Sequence, residues 1–190
     1  MKNRNLFALL AIVLFIAACE DNIYPKPKAM LRLEYSKPEL KGFEADQFSF
    51  DYNEIAQVKV KNSSSLTIRY PEMKGAIFIN YRKVEDNLDE LMIDAQKLSV
   101  EHEKKADDMK RKVYENEERK VYGVFYEVVG DAASQAQFFV TDRDQHFVTG
   151  SLYFEAKPNY DSIYPATAYL QNDMGRIMET IDWNKYVCSV

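Results

Sequence analysis

The sequence predicts an α+β domain: a mostly antiparallel β-sheet packed by one long helix and a C-terminal helix. Three observations predict it. Runs that alternate with period two follow one another across short turns, which favours antiparallel neighbours; Ala56, Val58 and Val60 against Gln57, Lys59 and Lys61 is the clearest. Between Glu85 and Tyr114 the apolar spacing changes to three and four, through Leu88, Leu91, Met92, Ala95, Leu98, His102, Ala106, Met109 and Val113. A second helical stripe closes the chain with Ala168, Leu170, Met174, Ile177, Met178, Ile181 and Trp183.

Taken in order, Met30 to Tyr35 is the first candidate strand, then Phe48 to Asn53 and Ala56 to Lys61, the last with one buried and one wet face. Asn62 to Ser65 is a turn, and Leu66 to Tyr70 pairs with Ala76 to Tyr81 around Pro71 and Gly75. The long helix, Glu85 to Tyr114, has acids at its start and Lys110, Arg111 and Lys112 near its end, as the helix dipole favours. Glu101–Lys105, Asp107–Arg111 and Asp108–Lys112 would be ion pairs four residues apart on its outer side. Val121 to Val129 is apolar on both faces and reads as a central strand. Ala136 to Thr141 and His146 to Glu155 flank a short polar turn, Asp142 to Gln145, and form a hairpin. Lys157 to Tyr164 is a loop, and Pro165 suits the first turn of the closing helix. Nothing divides the stretch, so residues 30–185 form a single domain and 186–190 a tail.

The N-terminus carries the most specific local signal. Lys2 and Arg4 precede an apolar run of 13 residues, Leu6 to Ala18. As a helix it reaches about 20 Å against about 30 Å of bilayer hydrocarbon, so it reads as a cleaved leader rather than a span. The run ends Ile16-Ala17-Ala18-Cys19, which resembles the lipobox of bacterial lipoproteins. Residues 1–18 would then be a lipoprotein signal peptide. Cys19 would carry lipid, and 19–29, with Pro25 and Pro27, would be an extended spacer. Removing 18 residues, two of them basic, takes the chain from 190 residues and charge −5 to 172 residues and −7. Cys188 is then left without a partner cysteine.

Composition excludes several function classes. With 46% hydrophobic and 29% charged residues the chain is neither disordered nor a multi-span membrane protein. An acidic chain with no basic run is a poor nucleic-acid binder, because phosphate contacts need clustered Lys and Arg. Two cysteines and two histidines exclude a disulfide scaffold and most zinc sites. No Gly-rich phosphate loop, nucleophile elbow or Cys-x-x-Cys implies a cofactor. His102-Glu103 begins like a zinc-protease helix but has no second histidine.

Two places carry candidate chemistry. Asp142, Asp144 and His146 alternate along the hairpin and either hold a divalent cation or make a polar turn of Asp-to-backbone hydrogen bonds. Pairing His146 with Ser151 or Ser162 would suggest a hydrolase, but no oxyanion hole or nucleophile turn accompanies them. Asn159, Tyr160, Asp161 and Ser162 form the second candidate surface. Tyr122, Tyr126, Tyr153, Tyr160, Tyr164 and Tyr169 concentrate in the same half of the chain and serve either the core or recognition.

The chain resembles the gliding-motility lipoprotein GldD family of the Bacteroidetes. The resemblance rests on Tyr24-Pro25-Lys26-Pro27, Arg69-Tyr70-Pro71, Lys74-Gly75-Ala76-Ile77 and Val121-Tyr122-Gly123-Val124-Phe125-Tyr126. It is strongest over Ala133 to Phe138, Thr141-Asp142, His146-Phe147, Gly150 to Phe154 and Pro158 to Ser162, and continues to Glu179-Thr180 and Trp183. The tail after Lys185 departs from it. It implies a non-enzymatic protein required for gliding and linked to type IX secretion, with other proteins of that machinery as partners. It also implies a lipid-anchored envelope location, on the outer membrane facing the periplasm or retained at the inner membrane. The strand and helix order is similar to the α/β/α layout of PsbP-like domains. Asp161-Ser162-Ile163 resembles the O-glycosylation signal of envelope proteins in this phylum, which would make Ser162 an acceptor; otherwise Asp161 caps the next turn.

Overall fold

The structure, a computed structural model, describes residues 35–103, 106–155 and 160–183, with 98–103 described by backbone alone. The described strands are β1 (Leu40–Glu44), β2 (Phe48–Asn53), β3 (Gln57–Asn62), β4 (Ser65–Tyr70) and β5 (Gly75–Lys83), then β6 (Asp108–Asn116), β7 (Val121–Val129), β8 (Ser134–Thr141), β9 (His146–Phe154) and β10 (Asp182–Trp183). Helix α1 is Leu88–Glu103 and helix α2 is Tyr160–Thr180. Strands β3-β4-β5-β9-β8-β7-β6, in that order, make a seven-stranded antiparallel sheet, and β1-β2-β10 make a three-stranded one. The predicted α+β class with a mostly antiparallel sheet is the fold observed.

Alternation along the central strands gives the large sheet two apolar faces. On one face Ile68, Ile77, Phe125, Phe138, Val140 and Leu152 pack with Leu170, Met174 and Ile177 of α2 and with Phe48 and Phe50 of β2. On the other face Val124, Tyr126, Phe139 and Phe147 pack with Leu91, and Leu88, Met92 and Ala95 of α1 border them. Each fully buried Leu, Ile, Met or Phe contributes about 1.5–3 kcal/mol relative to exposure. The tight turns follow from side chains close by in sequence. Asn62 accepts the Ser64 amide at 2.9 Å between β3 and β4. Asp142 organises the β8–β9 turn. Lys74, in the left-handed region at φ 50°, ends the 3₁₀ turn Pro71–Met73 ahead of β5.

Four expectations are corrected. The helix predicted from Glu85 to Tyr114 ends at Glu103, and Asp108–Asn116 is strand β6. Its nine residues pair in continuous register with β7, from Asp108↔Val129 to Asn116↔Val121. That pairing satisfies one side of the apolar β7 and outweighs the helical spacing of Ala106, Met109 and Val113. The expected helical pair Asp108–Lys112 is replaced by an ion pair from Lys112 across to Glu127 on β7. The charges of β6 suit an edge strand, where they discourage pairing with another chain.

The predicted loop Lys157 to Tyr164 is helical from Tyr160 onward, because Asp131 accepts the Tyr160 amide at 2.8 Å and caps α2 from the β7–β8 connection. Pro165 accordingly lies inside the helix rather than in its first turn. The closing helix stops at Thr180, whose Oγ1 bonds back to the carbonyl of Arg176 and accepts the Asp51 amide of β2, both within 2.9 Å. The chain then pairs with β2 as β10, so Trp183 is a strand residue. Finally, Val60 is 56% exposed on edge strand β3, so the expected buried face of that strand is only partly buried. Strand β1 escaped prediction. The predicted strand Met30 to Tyr35 lies, but for Tyr35, outside the described residues, as do Cys19, Asn159 and the tail. His102 falls in the backbone-only part of α1.

Candidate functional site

The β8–β9 turn builds the first candidate. The Asp142 carboxylate Oδ1 accepts three amides, from Asp144 at 3.0 Å, Gln145 at 2.9 Å and His146 at 2.8 Å. Arg143 takes φ 66° at the tip, its amide donating to Thr141 Oγ1 at 3.0 Å. Its guanidinium sits 3.7 Å over the Tyr122 ring and 3.4 Å from Glu115. Of the two readings of Asp142 and Asp144, the polar turn is the one built. Among the described residues no group of three His, Cys, Asp or Glu side chains is placed to hold a metal ion.

His146 is buried beneath that turn. Its ring stacks on Trp183 at 5.2 Å with 9° between planes, and its Nδ1 lies 3.0 Å from the Tyr81 hydroxyl. Nε2 is 4.0 Å from Asp142 Oδ2. Tyr81 in turn stacks on Phe48 at 5.9 Å, so the imidazole closes an aromatic column between the two sheets. Burial lowers its pKa below the ordinary 6.5, against the opposing pull of Asp142 and Asp144. His146 shares a face with Trp183 and Tyr81. Ser151, five residues on, sits on the opposite face, about 16 Å further along β9. The Ser–His pairing that a hydrolase needs is not assembled there.

A histidine whose folded pKa is depressed contributes full stability above its unfolded pKa and loses it as pH falls through that value. Stability should therefore decline as pH drops below about 6.5, by no more than about 1.4 kcal/mol per pH unit from this one group. Urea denaturation at pH 7.5 and 5.5 on the native chain and on His146→Gln measures it. An equal slope in both would remove His146 as the cause.

The second candidate lies elsewhere. Tyr160, Asp161 and Ser162 open α2, with Asp161 and Ser162 exposed and Tyr160 edge-on to Tyr164 at 5.5 Å. Because Asp131 holds Tyr160 at the start of β8 and Asp142 follows its end, the two candidate regions are separated by the eight residues of β8, roughly 25 Å. They do not form one surface. Of the six concentrated tyrosines, Tyr126 is core, Tyr164 is exposed, and Tyr122, Tyr153, Tyr160 and Tyr169 are half-buried.

A third site was not anticipated. Asp173 of α2 is 3% exposed and is held from two sides. Asn53 Nδ2 donates to its Oδ2 at 2.7 Å, Arg176 Nη1 donates to its Oδ1 at 3.0 Å, and the Tyr70 hydroxyl lies beside it. Asn53 also donates to the Tyr169 hydroxyl at 2.8 Å, which itself donates to the Ser36 carbonyl at 3.0 Å. Burial raises the Asp173 pKa, opposed by Asn53, Arg176 and Tyr70; burial and then the Asp173 charge raise that of Tyr70. This network fixes α2 on β2. The sequence does hold a signal for it: Asp173 sits within the apolar spacing Leu170, Met174, Ile177, where a carboxylate requires partners.

Above the network a groove of about 510 Å³ opens between α2 and the β6–β7 edge, lined by Lys112, Tyr114, Phe125, Glu127, Gly175 and Arg176. A Cβ at Gly175 would meet nothing within 4 Å. Gly175→Ala should therefore stabilise the chain, by up to about 1 kcal/mol, since glycine is a poor helix residue. A lower urea midpoint in that variant would contradict the open geometry.

No helix among the described residues is long and apolar enough to cross a membrane. No curated protein matches the chain. The family model described as gliding motility lipoprotein GldD matches residues 20–183, starting at the residue after Cys19 and ending at Trp183 of β10, and the chain belongs to that family.

Proposed function

We propose that the chain is a lipid-anchored envelope protein that serves gliding and the linked type IX secretion by binding other proteins of that machinery, without catalysis. The observation that carries it is the junction at Cys19. The apolar leader and lipobox end there, and the gliding-lipoprotein match starts at residue 20. Two or three acyl chains on Cys19 would hold the domain firmly, whereas one alone anchors marginally. The non-catalytic reading is supported by His146, closed in by Trp183, Tyr81 and the Asp142 turn, and by Asp173, engaged within the network of α2. The domain spans 30–185, behind the spacer 19–29, and faces the periplasm from the outer membrane.

Deletion of the gene followed by colony-spreading and secretion assays tests this. Loss of both, restored by the wild-type chain, is expected; normal spreading and secretion in the deletant would overturn it. Ser162, exposed in the first turn of α2, is the proposed O-glycan acceptor. Mass spectrometry of the native protein should find a sugar mass that Ser162→Ala lacks, and an unmodified native peptide would dismiss it.

A further inference from the structure

Among the described residues, the face of the large sheet that carries α1 is only half covered. Helix α1 packs on β7, β8 and β9. By register, Phe78 of β5 and Tyr153 of β9 share that face but stand outside the α1 cluster. They meet edge-on at 5.7 Å, and Phe78 is 41% exposed. A hollow of about 620 Å³ lies over them, bordered by Lys59, Lys61, Arg69 and Glu155, the last two ion-paired. The charge around it runs against that of the molecule. The border of the hollow carries three basic residues against one acid, Glu155, in a chain of formal charge −5. Lysines on the edge strand β3 would also guard that edge from pairing. Edge guarding does not account for Arg82, which shares the Phe78 face of the interior strand β5, while Arg69 of β4 pairs with Glu155.

We infer that the β3–β4–β5–β9 half of this face docks an acidic polypeptide segment of a partner protein, one that places an apolar side chain against Phe78 and Tyr153. An aromatic centre within a charged rim is the anatomy of a protein interface, and the basic rim selects the sign of the partner. A membrane surface fits less well. Interfacial binding needs apolar side chains that reach about 5–10 Å into lipid, whereas here the aromatic pair lies at the floor of a hollow. The inference rests on the proposed protein-binding role and deepens it by naming a surface and the chemistry of its partner.

The test uses the full chain in deletant cells, with a photoreactive benzoylphenylalanine at Phe78 and, as control, at exposed Asp94 of α1. Position 78 should give a polypeptide adduct whose crosslinked peptide, read by mass spectrometry, is net negative; position 94 should not. The pair Lys59→Glu and Lys61→Glu, at unchanged protein abundance, should lower the adduct about tenfold and abolish spreading. Thr67→Glu, which places a carboxylate between Lys59 and Phe78 in the register, replaces the pair if the pair lowers abundance. A lipid adduct, no adduct, an adduct indifferent to charge reversal, or full spreading by the charge-reversed chain overturns the docking surface. A deletant that spreads normally overturns the proposed function instead, so the two failures are distinct.

Discussion

Replacing Gly123 with alanine should cost roughly 3 kcal/mol, a large share of the 5–15 kcal/mol that holds a domain together. Gly123 lies in β7 opposite Val140 of β8. A Cβ there would sit 2.0 Å from the Phe139 carbonyl oxygen and 2.7 Å from Val140 Cγ1. The first of these is backbone in a central strand, which cannot swing aside as a flexible side chain would. Relief requires the β7–β8 ladder to part, and both core clusters draw residues from those two strands. Urea denaturation measures the cost. A midpoint indistinguishable from wild type would show that the two strands are not this close.

Trp183→Ala is the second large effect, about 3–5 kcal/mol for truncation of a buried tryptophan. The indole joins three parts of the fold: β10 itself, the His146 ring at 5.2 Å, and the β6–β7 turn, where Nε1 donates to the Lys120 carbonyl at 3.0 Å. Its removal also opens the imidazole to water. Burial is the main cause of the lowered His146 pKa, so the pKa should climb back toward 6.5. Titration of the imidazole by NMR in both chains reads this separately from stability. A large loss of stability with an unchanged His146 pKa would mean that Trp183 packs without shielding it.

The elements legible in the sequence are those whose side chains alone decide them. Strands β2 and β7 have the predicted bounds, and the β8–β9 hairpin forms around the predicted polar turn. The elements missed are decided by a partner distant in sequence. Strand β6 alternates poorly, carries charge on both faces and fits a helical spacing as well as a strand; its pairing with β7 settles the matter. Strand β10 is two residues long and exists because β2 offers it an edge. Strand β1, Leu-Lys-Gly-Phe-Glu, is largely exposed and leaves little apolar pattern to read.

The candidate sites divide in the same way. Asp142 organises amides two to four residues away, so its role as a turn former was open to sequence reasoning. Asp173 meets Asn53 across 120 residues, and only its misfit within an apolar stripe points to it. The groove beside α2 and the basic hollow over Phe78 depend on which strands the helices leave uncovered. No local spacing encodes that.

The central claim is that a lipid on Cys19 tethers this domain where gliding requires it. The most direct measurement expresses Cys19→Ala in the deletant and follows membrane fractionation, leader cleavage and colony spreading together. The expected result is a chain that keeps its leader or leaves the lipidated membrane pool, with spreading unrestored. A Cys19→Ala chain that is cleaved, remains in the membrane fraction and restores spreading to the wild-type level would contradict the account.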